Sequence, residues 1–196
     1  MFRIFTSVLS TIVGLNLLVA IFYAFALVKL IAEETHVKNA WANIDRVFKE
    51  RLHVIPTLLA VFERHAPAEK KLLREIWDIH GVISKIEVSP EIINEEGKFS
   101  IFEESQVQLT LAVRRLIALM DRYQEVAKNR DFKVAQVHLD GLENRAATEA
   151  RFYNQAARKF NKIAKMFPKN LVARFVNLDR KVCFKRELDA EQLFKS

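Results

Sequence analysis

The chain divides near residue 33 by the way its apolar residues are spaced. From Ile4 to Val28 they form a 25-residue run without a single charge, and beyond it they recur as stripes. Val37, Trp41, Ile44, Phe48, Ile55, Leu58 and Phe62 follow one another at steps of three, four or seven. Arg51 stands where that stripe would hold another apolar residue. Such spacing keeps one face of a helix apolar. Pro56 lies inside the stripe, which resumes at once, so the spacing predicts a kinked helix rather than a broken one. Ala66-Pro67-Ala68 reads as a turn. Leu72, Leu73, Ile76, Ile79, Ile83 and Ile86 predict a second helix that ends before Pro90. An acidic loop runs from Glu87 to Ser100. Leu109, Val113, Leu116, Met120, Tyr123 and Val126 then predict a third helix, from about Phe102 to Ala127. Asn129-Arg130-Asp131 forms the next turn, and the fourth helix runs from about Lys133 to Met166.

No one of these helices can bury its stripe alone. The fold class predicted is all-α: an N-terminal transmembrane helix continuous with an antiparallel up-down-up-down four-helix bundle. Composition agrees, because four glycines and four prolines in 196 residues are too few to punctuate a β architecture. The expected organisation is an anchor over 4–31, a bundle with a basic C-terminal segment over 33–186, and a tail over 187–196.

As a helix, the apolar run is about 37 Å long, against roughly 30 Å of bilayer hydrocarbon. Ile4, Gly14, Asn16 and Val28 mark the span. A cleaved signal peptide is the rival reading, and Ala24-Phe25-Ala26 resembles a cleavage site. The run is longer than a signal-peptide core, however, and helical periodicity continues past it, which favours an uncleaved single-pass anchor. Ser10 and Gly14 make a weak small-residue pattern for self-association into a homo-oligomer. On the N-terminal side only Arg3 and the amino group are positive. Lys29, Lys38, Arg46 and Lys49 follow the span. The positive-inside rule then places the N-terminus outside and the bundle in the cytoplasm of a bacterial inner membrane, or of a membrane derived from it.

Little chemistry is visible. The histidines are His36, His53, His65, His80 and His138, and none forms a zinc-peptidase motif. Glu33/His36 and Glu50/His53 have the Glu-x-x-His spacing of di-iron bundles. Both lie on the first helix, about 25 Å apart, too far to share a metal pair. Cys183 is the only cysteine and can form no intrachain disulfide. No glycine-rich phosphate loop occurs. The expectation is a protein that is not an enzyme, with no catalytic or metal residues and no cofactor.

The charge is concentrated at the C-terminal end. Arg158, Lys159, Lys162, Lys165, Lys169, Arg174, Arg180, Lys181, Lys185 and Arg186 are accompanied by one acid, Asp179. In an up-down bundle this end returns to the membrane. Leu171, Phe175, Leu178 and Val182 step by four, three and four, as on an amphipathic helix. Two readings stay open: contact of this basic segment with anionic lipid headgroups, or capping of the bundle core. The remaining charge is too small, and base-reading motifs too absent, for a nucleic-acid partner.

Two aromatic-asparagine pairs, Tyr153-Asn154 and Phe160-Asn161, stand seven residues apart in the fourth helix. The rings suit a core. The amides either flank it in water or face a seam, where with Arg51, Glu143 and Arg151 they would form a polar ladder that fixes helix register. If so, replacing both by leucine raises thermal stability or changes the oligomeric state.

Two segments resemble the LemA family. "AWANIDRVFKERLHVIPTLLAVFERHA" resembles its first block, and "LENRAATEARFYNQAARKFNKIAKMFPKNLVA" its last. Thr57, where the family usually has Asn, and Asn129-Arg130-Asp131-Phe132, where it commonly has Tyr-Pro-Asp-Leu, depart from the pattern. The resemblance implies a membrane-anchored four-helix bundle with no established enzymatic activity, and the role expected of this chain is that of a scaffold or adaptor for a protein partner. One branch of the family is associated with magnetosome membrane formation. Others are linked to a membrane zinc peptidase or to envelope stress, which makes a non-catalytic regulatory subunit the alternative.

Overall fold

A computed structural model describes residues 2–86 and 90–185, with side chains from Leu9 onward. The described residues are all helix, turn and extended chain, with no β-strand among them. The first helix, α1, spans Phe2–His65 without interruption and carries Pro56 inside it. It joins the apolar run to the stripe of Val37, Trp41, Ile44, Phe48, Ile55, Leu58 and Phe62, all of which are buried. The helix closes on Arg64 and His65, just before Pro67, and the Arg64 charge suits the C-terminal dipole.

A 3-10 turn over Pro67–Glu69 leads into α2, Lys70–Lys85. The loop expected up to Ser100 is shorter. A 3-10 turn over Pro90–Asn94 buries Ile92 and Ile93, and α3 already starts at Glu96, running to Ala118. The third helix was expected to continue to Ala127. It breaks instead at a 3-10 turn, Met120–Arg122, followed by the short α4, Gln124–Lys128. The break lets Val126 be fully buried and lets Tyr123 reach Glu69 with its hydroxyl at 2.9 Å. Asn129 is the N-cap of α5, Arg130–Lys165, and its side chain accepts the Phe132 amide at 3.0 Å.

Specific contacts give the directions of these helices. Along α1, Glu33, Glu50 and Phe62 meet Lys159, Arg145 and Phe132 of α5, so the two run antiparallel. Trp41 and Arg51 meet Phe102 and Gln106 of α3, which therefore runs with α1. Arg115 of α3 pairs with Glu75 of α2, and Tyr123 beyond it with Glu69 before α2, so those elements oppose one another.

Beyond Pro168 the chain forms α6, Lys169–Phe175, which lies against α1 and α5. The helical spacing through Val182 is not realised. Asn177 adopts φ 52°, the left-handed conformation that asparagine tolerates better than most residues. Leu178 N–H then bonds Ala173 O at 2.9 Å and Asn177 N–H bonds Arg174 O at 3.4 Å. This pair of bonds is a Schellman ending. Residues 178–185 leave α6 as a non-helical strap.

Candidate functional site

The strap is held along its length. Asn161 Nδ2 donates to Lys181 O at 2.7 Å, and Asn161 Oδ1 accepts Lys181 N–H at 2.8 Å. Asn154 repeats the pattern on Phe184, at 3.1 and 2.8 Å. The spacing explains the repeat. Seven helical residues rise about 10.5 Å, and three extended residues cover about 10 Å, so two amides a heptad apart meet every third peptide of the strap. Tyr153 donates its hydroxyl to Val182 O at 2.5 Å, Val182 N–H reaches Ile93 O at 2.7 Å, and Lys185 N–H reaches a Glu103 carboxylate oxygen at 2.7 Å. Burial raises the Tyr153 phenol well above its ordinary pKa.

Phe184 enters the core between Phe99, 4.7 Å away by ring centroid, and Tyr153 and Trp41 at 5.7 and 6.2 Å. Lys181 is 1 % exposed. Its ammonium bonds Glu34 at 2.6 Å and Asn94 Oδ1 at 2.9 Å, and lies 5.1 Å from the centre of the Phe160 ring. Burial would raise the Glu34 carboxyl, but the hydrogen bond and charge of Lys181 outweigh it and hold it below the usual carboxylate range. Glu33, on the same turn, is held low chiefly by the hydrogen bond from Lys29, with Lys159 adding to it. These two acids tie the C-terminal part of the chain to α1 just beyond the apolar run.

The sequence-predicted residues therefore separate. Asn154 and Asn161 face inward, yet their partner is extended backbone rather than a helix seam. Glu143 is buried and bonded twice to Arg114 of α3, at 2.7 and 3.0 Å, whereas Arg151 is exposed. Arg51 is also buried against α3 and bonds Thr110 Oγ1 at 2.8 Å and Gln106 at 2.9 and 3.0 Å. Desolvation pushes its pKa down to about 10 against the pull of Glu143, so it stays cationic at neutral pH. The expected set therefore divides between two elements, the asparagines bonding the strap and Glu143 and Arg51 bonding side chains of α3.

The basic set also divides. Lys181 is buried and so is no surface headgroup ligand, whereas Lys185 is exposed and pairs with Glu96 at 2.8 Å. Lys159 is exposed beside Glu33. Arg158, Lys162, Lys165, Arg174 and Arg180 are at least partly exposed, as is Lys169. Arg186 lies outside the described residues.

In the anchor, Gly14 faces open space, and the Asn16 amide is satisfied by Ile12 O at 2.8 Å within the helix. Val28 is exposed, and the side chain of Ile4 lies outside the described residues. From Leu9 to Phe22 every residue is exposed. This stretch is the part of the one helix long and apolar enough to cross a membrane among the described residues.

Candidate chemistry is sparse. An open groove of about 620 Å³ between α1 and α5 is lined by Glu50, His53, Thr57, Asp131 and His138, among others. Glu50 is engaged by Arg46 and Arg145 at 3.7 and 3.6 Å. Among the described residues no group of three or more His, Cys, Asp or Glu is placed to hold a metal. Cys183 is half-buried, and burial raises its thiol pKa, the opposite of what an activated nucleophile requires.

Sequence reasoning missed Glu34, Asn94 and Glu103 as holders of the strap. Their signal was faint: acids at the start of a stripe and an asparagine within an acidic loop. Compared with known proteins, the LemA family model matches residues 40–194, a stretch that begins beyond the apolar run and includes both asparagines and the strap. No curated protein matches the chain.

Proposed function

The chain belongs to the LemA family, and from that premise we propose that it is a single-pass membrane-anchored scaffold whose up-down-up-down four-helix bundle recruits a protein partner at a bacterial membrane. One observation carries the reading: α1 is a single continuous helix, exposed on all faces and largely apolar from Leu9 to Phe22, and buried along its stripe in a protein core from Val37 to Phe62. A helix apolar all round and uncovered by protein requires another apolar medium, and its length suits a bilayer. The rigid helix passes that fixed position directly to the bundle.

The bundle has an interior built from packed rings, which suits a binding body. Basic residues after the span favour a cytoplasmic bundle with the N-terminus outside. Magnetosome membrane formation is the version of this role that the family resemblance supplies. Fractionation with that organelle's membrane in a magnetotactic cell is its test.

The anchor in this reading is tested by alkaline washing of membranes that carry the full chain. The chain is expected to stay with the lipid pellet, and its release to the supernatant would overturn the anchor. Ser196→Cys, labelled in intact and in opened cells, tests orientation. Cys183 serves poorly as the label site because its thiol is half-buried with a raised pKa.

A further inference from the structure

We infer that α6 and the turn before it form a second membrane contact, a foot that sits in the headgroup and upper acyl layer of the leaflet beside the anchor. The inference rests on the anchoring reading above and adds an element to it.

The position of α6 carries the inference. Protein cover on α1 begins at Tyr23. Every described side chain before it, from Leu9, is exposed, while Ala26 and Leu30 are 2 % and 0 % exposed. α6 lies against α1, and its last residue, Phe175, meets the Tyr23 ring edge-on at 6.1 Å. The helix therefore stands level with the last two turns of the apolar run. That run exceeds the bilayer hydrocarbon by roughly 7 Å, about five helical residues. Tyr23 thus falls at the hydrocarbon boundary when the surplus lies on the bundle side, and an aromatic ring with a polar tip is suited to that depth. An element packed at Tyr23 shares it.

The side chains of the foot suit the same place. Phe167 and Phe175 are each 79 % exposed, and Leu171 and Met166 are more than half exposed. The Tyr23–Phe175 contact brings Phe175 to the level of α1 that carries Phe25 and Val28, also exposed. Lys165, Lys169 and Arg174 flank these apolar groups, so cations border an apolar surface next to a membrane helix. The interior face of α6, Val172 and Ala173, is buried. One face docks on protein and the other is left with large rings, the composition of an interfacial helix. The occupant the charge fits is a leaflet with anionic headgroups.

The test uses the full chain with Cys183→Ala, reconstituted in vesicles of phosphatidylethanolamine and phosphatidylglycerol. Spin labels are placed singly through Leu17→Cys, Phe167→Cys, Phe175→Cys and Val137→Cys. Collisions with oxygen, which concentrates in lipid, are compared with those of a water-soluble nickel chelate. The labels at 167 and 175 are expected to be several-fold less accessible to the chelate than the label at 137, and more accessible to oxygen, approaching the behaviour of the label at 17. Chelate access at 167 and 175 equal to that at 137, with the label at 17 in lipid, would overturn the foot and leave the anchor standing. Shielding from both reagents would put a second protein on the surface and also overturn it. Chelate access at position 17 would overturn the anchor and the foot together.

Discussion

Asn161 pairs with the backbone of Lys181 as a neighbouring strand would, giving one hydrogen bond at 2.7 Å and taking another at 2.8 Å. A side-chain amide has the same donor and acceptor as a peptide group, so a helix can offer a sheet-like edge wherever it places an asparagine. Here it does so twice, and the last described part of the chain is fixed by it.

Replacement of Asn154 and Asn161 by leucine therefore lowers stability, the reverse of what a helix-seam role implies. Each substitution leaves one strap N–H and one strap C=O without its partner, at a cost of about 1–3 kcal/mol. The double variant costs less than the sum, because both residues hold one strap. Denaturant unfolding measures the loss, and amide exchange at Lys181 and Phe184 locates it. Unchanged protection of those two amides would refute the pairing.

Acid loosens the strap through Glu34. Its folded pKa lies below the ordinary value of 4.5, so its contribution is complete above that value and fades as pH falls through the lower folded one. Strap amides should begin to exchange faster in that acid window than amides in the middle of α5. Glu34→Gln should remove that part of the pH dependence, and an unaltered acid profile in the variant would assign the effect elsewhere.

Arg51 separates charge from volume. Its guanidinium is buried, its Nε lacks a partner among the described residues, and it fills space beside Phe48. Arg51→Ala should cost about 3 kcal/mol, by leaving a cavity and removing the partners of Thr110 and Gln106. Arg51→Met should cost less than Arg51→Ala, since it fills the space, although it too removes the partners of Thr110 and Gln106. Equal losses from both variants would show that the charge itself is required.

Two phenylalanines of the C-terminal segment should behave oppositely. Phe184 is 4 % exposed among core rings, and Phe184→Ala should cost about 3 kcal/mol, limited by the total docking energy of the strap. Phe167 is 79 % exposed, and Phe167→Ala in detergent should change stability by less than about 0.5 kcal/mol. Urea or thermal unfolding of the two variants side by side checks the contrast.

Much of this was legible before any coordinates. The long charge-free run, the stripe from Val37 to Phe62 and the scarcity of glycine and proline specify an all-helical chain with one very apolar N-terminal helix. Local geometry is enough for this: periodicity reports which face of a helix must be buried, and length reports what it can cross. The core rings Tyr153 and Phe160 were readable for the same reason, and so was the Asn129 turn, whose side chain caps the helix that follows.

What lay beyond the sequence was the partner of each polar group. Leu171, Phe175, Leu178 and Val182 keep helical spacing, yet Asn177 ends the helix between them and turns one pattern into two structures. Leu171 and Phe175 stay on the surface of α6, while Phe184 and the buried Lys181 join the core with the strap. Periodicity cannot show that Lys181 would meet Glu34, 147 positions away, because a buried ion pair depends on which elements are brought side by side. The sequence by itself determined the helices and their apolar faces. The tertiary structure alone decided that two asparagines a heptad apart would bind backbone three residues apart, because that match exists only once an extended segment lies along a helix.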